Sequence, residues 1–298
     1  MTPDDVPAQA TAPGGAAAPG RSAAPAPAVP APAVAESRPR VSRAVLMGLG
    51  SWTVFAVVAV AAWEVASRLY AQPYLLPAPS QIALALREDL DLVLAYAAIT
   101  TQEVVWGFLL GSALALLGAM LFVWLPRAVE DFLYRLVVTL NSTPFVALAS
   151  LAVVWFGLGI TSKVIIAGMY TFFAVLYHTH KAFISVDPMR EHLMDVYNAT
   201  WLQRMLLLRV PSALPIIFTS LKGGVMAAVN GAIVGELFGA FEGLGYMILD
   251  SRYVGNTVRV FLAAVCSTLI GWVLLGAVTL AERLVLPWHV SITRGRPV

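Results

Sequence analysis

Residues 187–211 read DPMREHLMDVYNATWLQRMLLLRVP. They form the most polar stretch between two apolar runs of membrane length, Lys163–Ile184 and Leu214–Phe238. Asp187 can cap a helix, and Pro188 suits its first position. Met189, Leu193 and Tyr197 then recur at four-residue spacing, which places them on one helical face. Asn198 tolerates the left-handed backbone that ends a helix. Thr200-Trp201-Leu202-Gln203 fits a capping box for a second helix, with Leu202, Met205 and Leu206 as its apolar face and Pro211 as its expected end. Two short amphipathic helices joined by a tight turn need a partner for their apolar faces, either the chain's own bundle or a cleft on a cytoplasmic protein. A DNA-reading helix-turn-helix is excluded, because both ends run into membrane spans and too few cations share one face.

Working outward, six runs are long enough to span a bilayer: Ala44–Ala66, Glu103–Trp124, Phe132–Trp155, Lys163–Ile184, Leu214–Phe238 and Val258–Ala281. The composition agrees. Of 298 residues, 59% are hydrophobic and 12% charged, where a soluble domain carries about 25% charge. Lipid must solvate the excess apolar surface. The first span is too long for the apolar core of a signal peptide, and the residues at its end, Glu64-Val65-Ala66-Ser67-Arg68, make a poor cleavage site. The fold class is therefore all-α integral membrane, with about six transmembrane helices. Fourteen of the nineteen lysines and arginines fall on one side if the N-terminus is inside, and five on the other. That bias predicts cytoplasmic termini, with residues 187–211 cytoplasmic as well. Pro79-Ser80 opens an amphipathic stretch expected to lie at the outer interface, with Ser80 as its cap.

The chain divides into a 1–43 tail, a 44–70 anchor helix, a 71–286 transmembrane domain and a 287–298 cytoplasmic tail. Nine of the nineteen prolines lie in the first forty residues, set among alanines, which predicts a disordered cytoplasmic spacer. The net charge of +2 gives no ground for nucleic-acid binding. Cys266, the single cysteine, sits in an apolar run and can form neither a disulfide framework nor a zinc cluster. Trp52, Trp63, Trp124, Trp155 and Trp288 fall near span ends, as an interfacial belt does.

Polar residues inside spans are costly and so are candidates for the translocation path. Asn141 and Thr143 interrupt the third span ahead of Pro144, which should kink it. Asn230 lies in the fifth span, and both it and the 141–143 patch read equally as helix packing. Glu236 near the outer end either faces the path or pairs with Arg252 or Arg259. Gly231, Gly235 and Gly239 form a small-residue stripe for close helix packing, with a subunit interface as one setting. Lys222 is expected to snorkel to the inner interface. His178 and His180 point to different faces, which speaks against a metal pair and for a snorkelling helix end.

At this point the chain resembles a known family, the permeases of binding-protein-dependent ATP-binding-cassette importers, nitrate/sulfonate/taurine type. Tyr74-Leu75-Leu76-Pro77-Ala78-Pro79-Ser80 looks like the family's opening motif. Val105-Trp106-Gly107-Phe108, Trp155-Phe156-Gly157-Leu158-Gly159 with Ser162-Lys163, and Gly243-Leu244-Gly245-Tyr246 after Glu236 resemble further segments in order. The family's hallmark loop has glutamate-alanine-alanine, then a glycine, then prolines. Counted back from Pro211, the glycine falls on Asn198 and the glutamate on His192, with Leu193 and Met194 at the alanines. Glu191 or Asp195 offers the missing charge.

The resemblance implies a type I importer permease bundle in a bacterial plasma membrane. It implies a non-catalytic subunit whose ATPase-coupling loop includes His192, Asp195, Asn198, Thr200, Gln203 and Pro211. Expected partners are two ABC ATPase subunits, a second permease copy and an external substrate-binding protein. No GxxxxGK[ST] loop is found, so ATP and Mg are expected on the ATPase chain, with no cofactor on this one. Among the cargoes the resemblance implies are a small sulfonate-, taurine- or nitrate-like anion and an organic molecule of the thiamine-precursor kind, and the sequence does not choose between them. The alternative is a stand-alone secondary transporter driven by an ion gradient. Against it, no internal repeat and few intramembrane acids are visible.

Overall fold

A computed structural model describes residues 43–70, 72, 74–141 and 144–286, with side chains from Thr53 onward. The two tails therefore lie almost wholly outside the described residues. The chain separates into two units at Thr53/Val54, and the functional elements all belong to the second, which runs from Val54 onward. The chain is helical, with no strand among the described residues: α1 Arg43–Tyr70, α2 Pro79–Glu88, α3 Leu90–Trp124, α4 Arg127–Asn141, α5 Phe145–Phe156, α6 Ile160–Ile184, α7 Pro188–Val196, α8 Trp201–Arg204, α9 Val210–Gly239, α10 Leu244–Tyr253 and α11 Thr257–Val285.

Five helical stretches are long and apolar enough to cross a membrane, and α4 with α5 makes a sixth if the pair is one broken span. Their axes lie 90° apart, so the kink expected at Pro144 is a full break. Proline lacks the N–H that would continue α4, and Pro144 instead stands as the N-cap of α5. Asn141 is the last residue of α4 and exposed, while Thr143 lies outside the described residues.

Two spans start earlier than hydropathy suggests. The second begins at Leu90, so Glu103 lies inside a 35-residue helix and is buried. The fifth begins at Trp201, because Pro211 does not end its helix. A π-helical turn, Met205–Arg209, joins α8 to α9, and Val210 N–H reaches back to Met205 O. The wider turn relieves the clash between the proline ring and the preceding carbonyls. The resulting Trp201–Gly239 helix has 39 residues, about 58 Å, and must project beyond a hydrocarbon core of about 30 Å.

The core is three helices, α3, α6 and α9, brought close by small residues. A Cβ on Gly107 would collide with Ala167 Cβ, and one on Gly231 would lie 2.7 Å from Ala167 Cα. Ala167 thus sits at the junction of all three. The stripe Gly231, Gly235, Gly239 packs inside the subunit, on α6 and on Val153 and Leu158. Without a hydrophobic force between helices in lipid, such close van der Waals contact is what holds them.

At the end of the bundle away from α7, Asp89, between α2 and α3, accepts a bidentate pair from Arg259 of α11 at 2.7 and 2.6 Å. Ser80 does not cap α2. Ala78 is the N-cap, with its N–H on Gln81 Oε1 at 3.0 Å, and Ser80 donates instead to Glu64 of α1. Trp63 packs on Phe261, at 6.0 Å between rings, inside the apolar cluster of that end. Two side chains expected to snorkel are paired. Lys222 meets Glu282 of α11 at 2.5 Å, and the buried His180 meets Glu130 of α4 at 2.8 Å.

Candidate functional site

The 187–211 segment folds as its residues dictate locally. Asp187 accepts from Met189 N–H at 2.9 Å and caps α7, with Pro188 in the first turn. At the other end Asn198 takes φ 48°. Around it Asn198 N–H bonds Asp195 O and Ala199 N–H bonds Met194 O, both at 3.0 Å. These are the two bonds of a Schellman cap, with asparagine in the left-handed position usually held by glycine. Thr200 then opens α8 with a reciprocal box: Thr200 N–H donates to Gln203 Oε1 at 2.8 Å, and Gln203 N–H to Thr200 Oγ1 at 3.4 Å.

Two acids of this element are paired within the chain. Glu191 pairs with Arg209 at 2.8 Å and Asp195 with Arg204 at 2.5 Å. These pairs tie α7 to the helix beyond the turn, over a charged cavity of 790 Å³ that reaches Glu130 and His180. His192 is exposed and 3.7 Å from Asp195. Arg190 is exposed as well, and beside these two lies an exposed apolar set: Met189 is 76% exposed, Leu193 53%, Val196 80% and Tyr197 74%. Of the second helix's expected apolar face, Met205 is buried while Leu202 and Leu206 are exposed.

The far end of the bundle holds a second polar centre. Glu236 is fully buried and accepts from Thr100 Oγ1 at 2.6 Å and from Gly245 N–H. Neither Arg252 nor Arg259 is its partner. Glu103 stands beside it with one oxygen unpaired, and Lys163 lies near both acids. Lys163 Nζ donates to the carbonyls of Leu158, Gly159 and Gly239. Gly243, at φ 107°, allows this approach, since a Cβ there would collide with the Glu236 carboxylate. The centre thus fastens α3, α6, α9, α10 and the α5–α6 loop together. Spacing alone does not reveal it: Thr100 carries no sequence signal, and Lys163 reads as a cation at a span end.

The path candidates are not gathered into one place. Asn230 is exposed on a different face of α9 from Glu236, in a groove shared with Ser267 and Thr268 of α11. Those two hydroxyls carry no sequence signal beyond lying in an apolar run.

Comparison with known proteins decides between the transporter classes. Residues 107–287 match the family described as "Binding-protein-dependent transport system inner membrane component". The chain belongs to that family. This permease is 35% identical over 238 residues to the formylaminopyrimidine transport permease protein ThiX of Halalkalibacterium halodurans, covering 80% of this chain and 95% of the relative. It is 27% identical to the taurine transport system permease protein TauC of Escherichia coli, covering 84% and 92%. A crystal structure of an amino acid ABC transporter shares the fold, with TM-score 0.53 and 17% identity over 67% of this chain and 95% of that one. The permease is accordingly a transport subunit of an ATP-binding-cassette importer, embedded in the inner membrane by multiple spans. The ion-driven reading gives way.

Proposed function

We propose that the permease pairs with a second copy to line a solute path, and that two ATPase subunits grip the 187–211 turn. An external binding protein delivers cargo at the opposite end. The observation that carries this reading is the exposed apolar knob of Met189, Leu193, Val196 and Tyr197, held on a capped turn whose acids Glu191 and Asp195 are already paired within the chain. Water is a poor home for such a patch, and a cleft on a soluble motor is a good one. The contact is then chiefly apolar, with Leu193 and Met194 replacing the small residues of the family's loop and His192 replacing its glutamate. Asn198, Thr200 and Gln203 fix the shape of the knob, Asp195 braces it to Arg204, and Pro211 enters the span just beyond it.

ATP and Mg bind on the ATPase chain. Both termini and the turn face the cytoplasm, in line with the fourteen-to-five distribution of lysine and arginine. Asn230 faces the path, and Asn141 and Thr143 contribute from the break between α4 and α5. Glu236 acts from within the bundle by holding its outer end together.

Co-purification tests the reading. The permease expressed with its ATPase should elute as one complex, and Tyr197→Asp with Met189→Asp should release the ATPase while the permease stays in the membrane. Solute uptake by the permease alone, without ATP, would sink it.

A further inference from the structure

We propose that the groove between α9 and α11 holds the solute in transit, and that this solute is uncharged, flat and rich in hydrogen-bond donors. The inference rests on the importer reading and names the substrate class of its path.

The groove lies at mid-membrane depth. Asn230 is nine residues before the end of α9 at Gly239, and Thr268 eleven residues after the start of α11 at Thr257. At 1.5 Å per residue both sit about 14–17 Å from the same end of the bundle, near the middle of a core about 30 Å thick. Asn230 and Thr268 are nevertheless exposed on the surface of the chain. A carboxamide facing acyl chains there would lose its hydrogen bonds, so this face meets something polar.

The hydrogen-bonding groups of the groove narrow the ligand. Ser267 Oγ donates to Ala263 O at 2.7 Å, and Thr268 Oγ1 to Ala264 O at 2.9 Å. Both hydroxyl protons are spent on the helix, and the oxygens are left as acceptors. Asn230 adds one more acceptor and two donors. Acceptors outnumber donors, which suits a ligand bearing N–H groups. Trp272 lines the same groove and is 65% exposed, offering an aromatic face.

No residue lining the groove is ionisable. A sulfonate placed there would have no cation and only the two donors of Asn230, which is costly in a medium of low dielectric. The groove, 290 Å³, is at the small end of ligand sites and suits a single ring with short substituents.

The test is calorimetric binding to the purified permease–ATPase complex in nanodiscs, with formylaminopyrimidine and taurine as probes. Formylaminopyrimidine should bind and taurine should not. Asn230→Leu and Thr268→Val should each weaken binding at least tenfold in complexes of unchanged mass. Binding of taurine alone, binding of neither probe, or full affinity in both variants would overturn the proposal. So would loss of the second permease copy in the variants, since the groove would then be a contact between copies. The importer reading is scored separately by ATP hydrolysis stimulated by the binding protein. If that response is present and neither probe binds, only the groove assignment falls. If probes bind and hydrolysis never responds, the importer reading falls instead.

Discussion

Thr100 Oγ1 stands 2.6 Å from a carboxyl oxygen of Glu236 and 2.9 Å from the backbone nitrogen of Leu244. One hydroxyl on α3 therefore donates to α9 and accepts from the start of α10. Thr100→Val keeps the shape and removes both bonds. It should cost about 1–3 kcal/mol for each buried partner left unsatisfied, seen as a lower midpoint of thermal aggregation in detergent.

Lys163 offers a harsher case. Its ammonium serves three carbonyls and neighbours two buried acids. Lys163→Met strands all of them, and breaking a buried charged centre costs about 3–5 kcal/mol. The variant should fail to accumulate as folded protein, whereas Arg252→Met, at an exposed site on α10, should not. Fluorescence-detected gel filtration of the two decides it.

Asn198 separates local strain from membrane insertion. A β-branched residue at φ 48° costs about 1–3 kcal/mol, and glycine costs nothing of that kind. Asn198→Val should raise the ATP consumed per solute moved while leaving the amount in the membrane unchanged. Asn198→Gly should keep normal coupling, and equal ratios for the two variants would show that the turn's backbone does not matter.

Gly231 and Gly276 form a matched pair. A Cβ at 231 meets the backbone of α6 at 2.7 Å, and one at 276 meets nothing within 4 Å. Gly231→Ala should destabilise by about 1–3 kcal/mol through overpacking, and Gly276→Ala should be neutral or slightly favourable. Unfolding of the two variants in graded denaturing detergent compares them directly.

Much of this architecture is legible in the sequence, for reasons that particular residues make plain. Helix caps act within three or four residues, so Asp187, Asn198 and Thr200 disclose the turn without coordinates. Hydropathy finds the spans, because a long apolar run has few other homes. Pro211 misleads, since the π turn that accommodates it depends on packing of Met205 and Leu208 against the bundle. Ser80 misleads in the same way, because Glu64, sixteen residues away, draws its hydroxyl. The Thr100–Glu236–Lys163 centre joins residues up to 136 positions apart. No local spacing encodes such a meeting, and the same holds for Asn230 with Ser267 and Thr268.

The unbroken run from Trp201 to Gly239 makes a lever of the fifth span. Its one end carries the capped turn, braced by the Glu191–Arg209 pair, and its other carries Glu236. Over about 58 Å, a tilt of about 5° displaces one tip relative to the other by about 5 Å. A push on the turn at one end would thus be carried to the Glu236 end, with Ala167 and its glycine neighbours as the fulcrum.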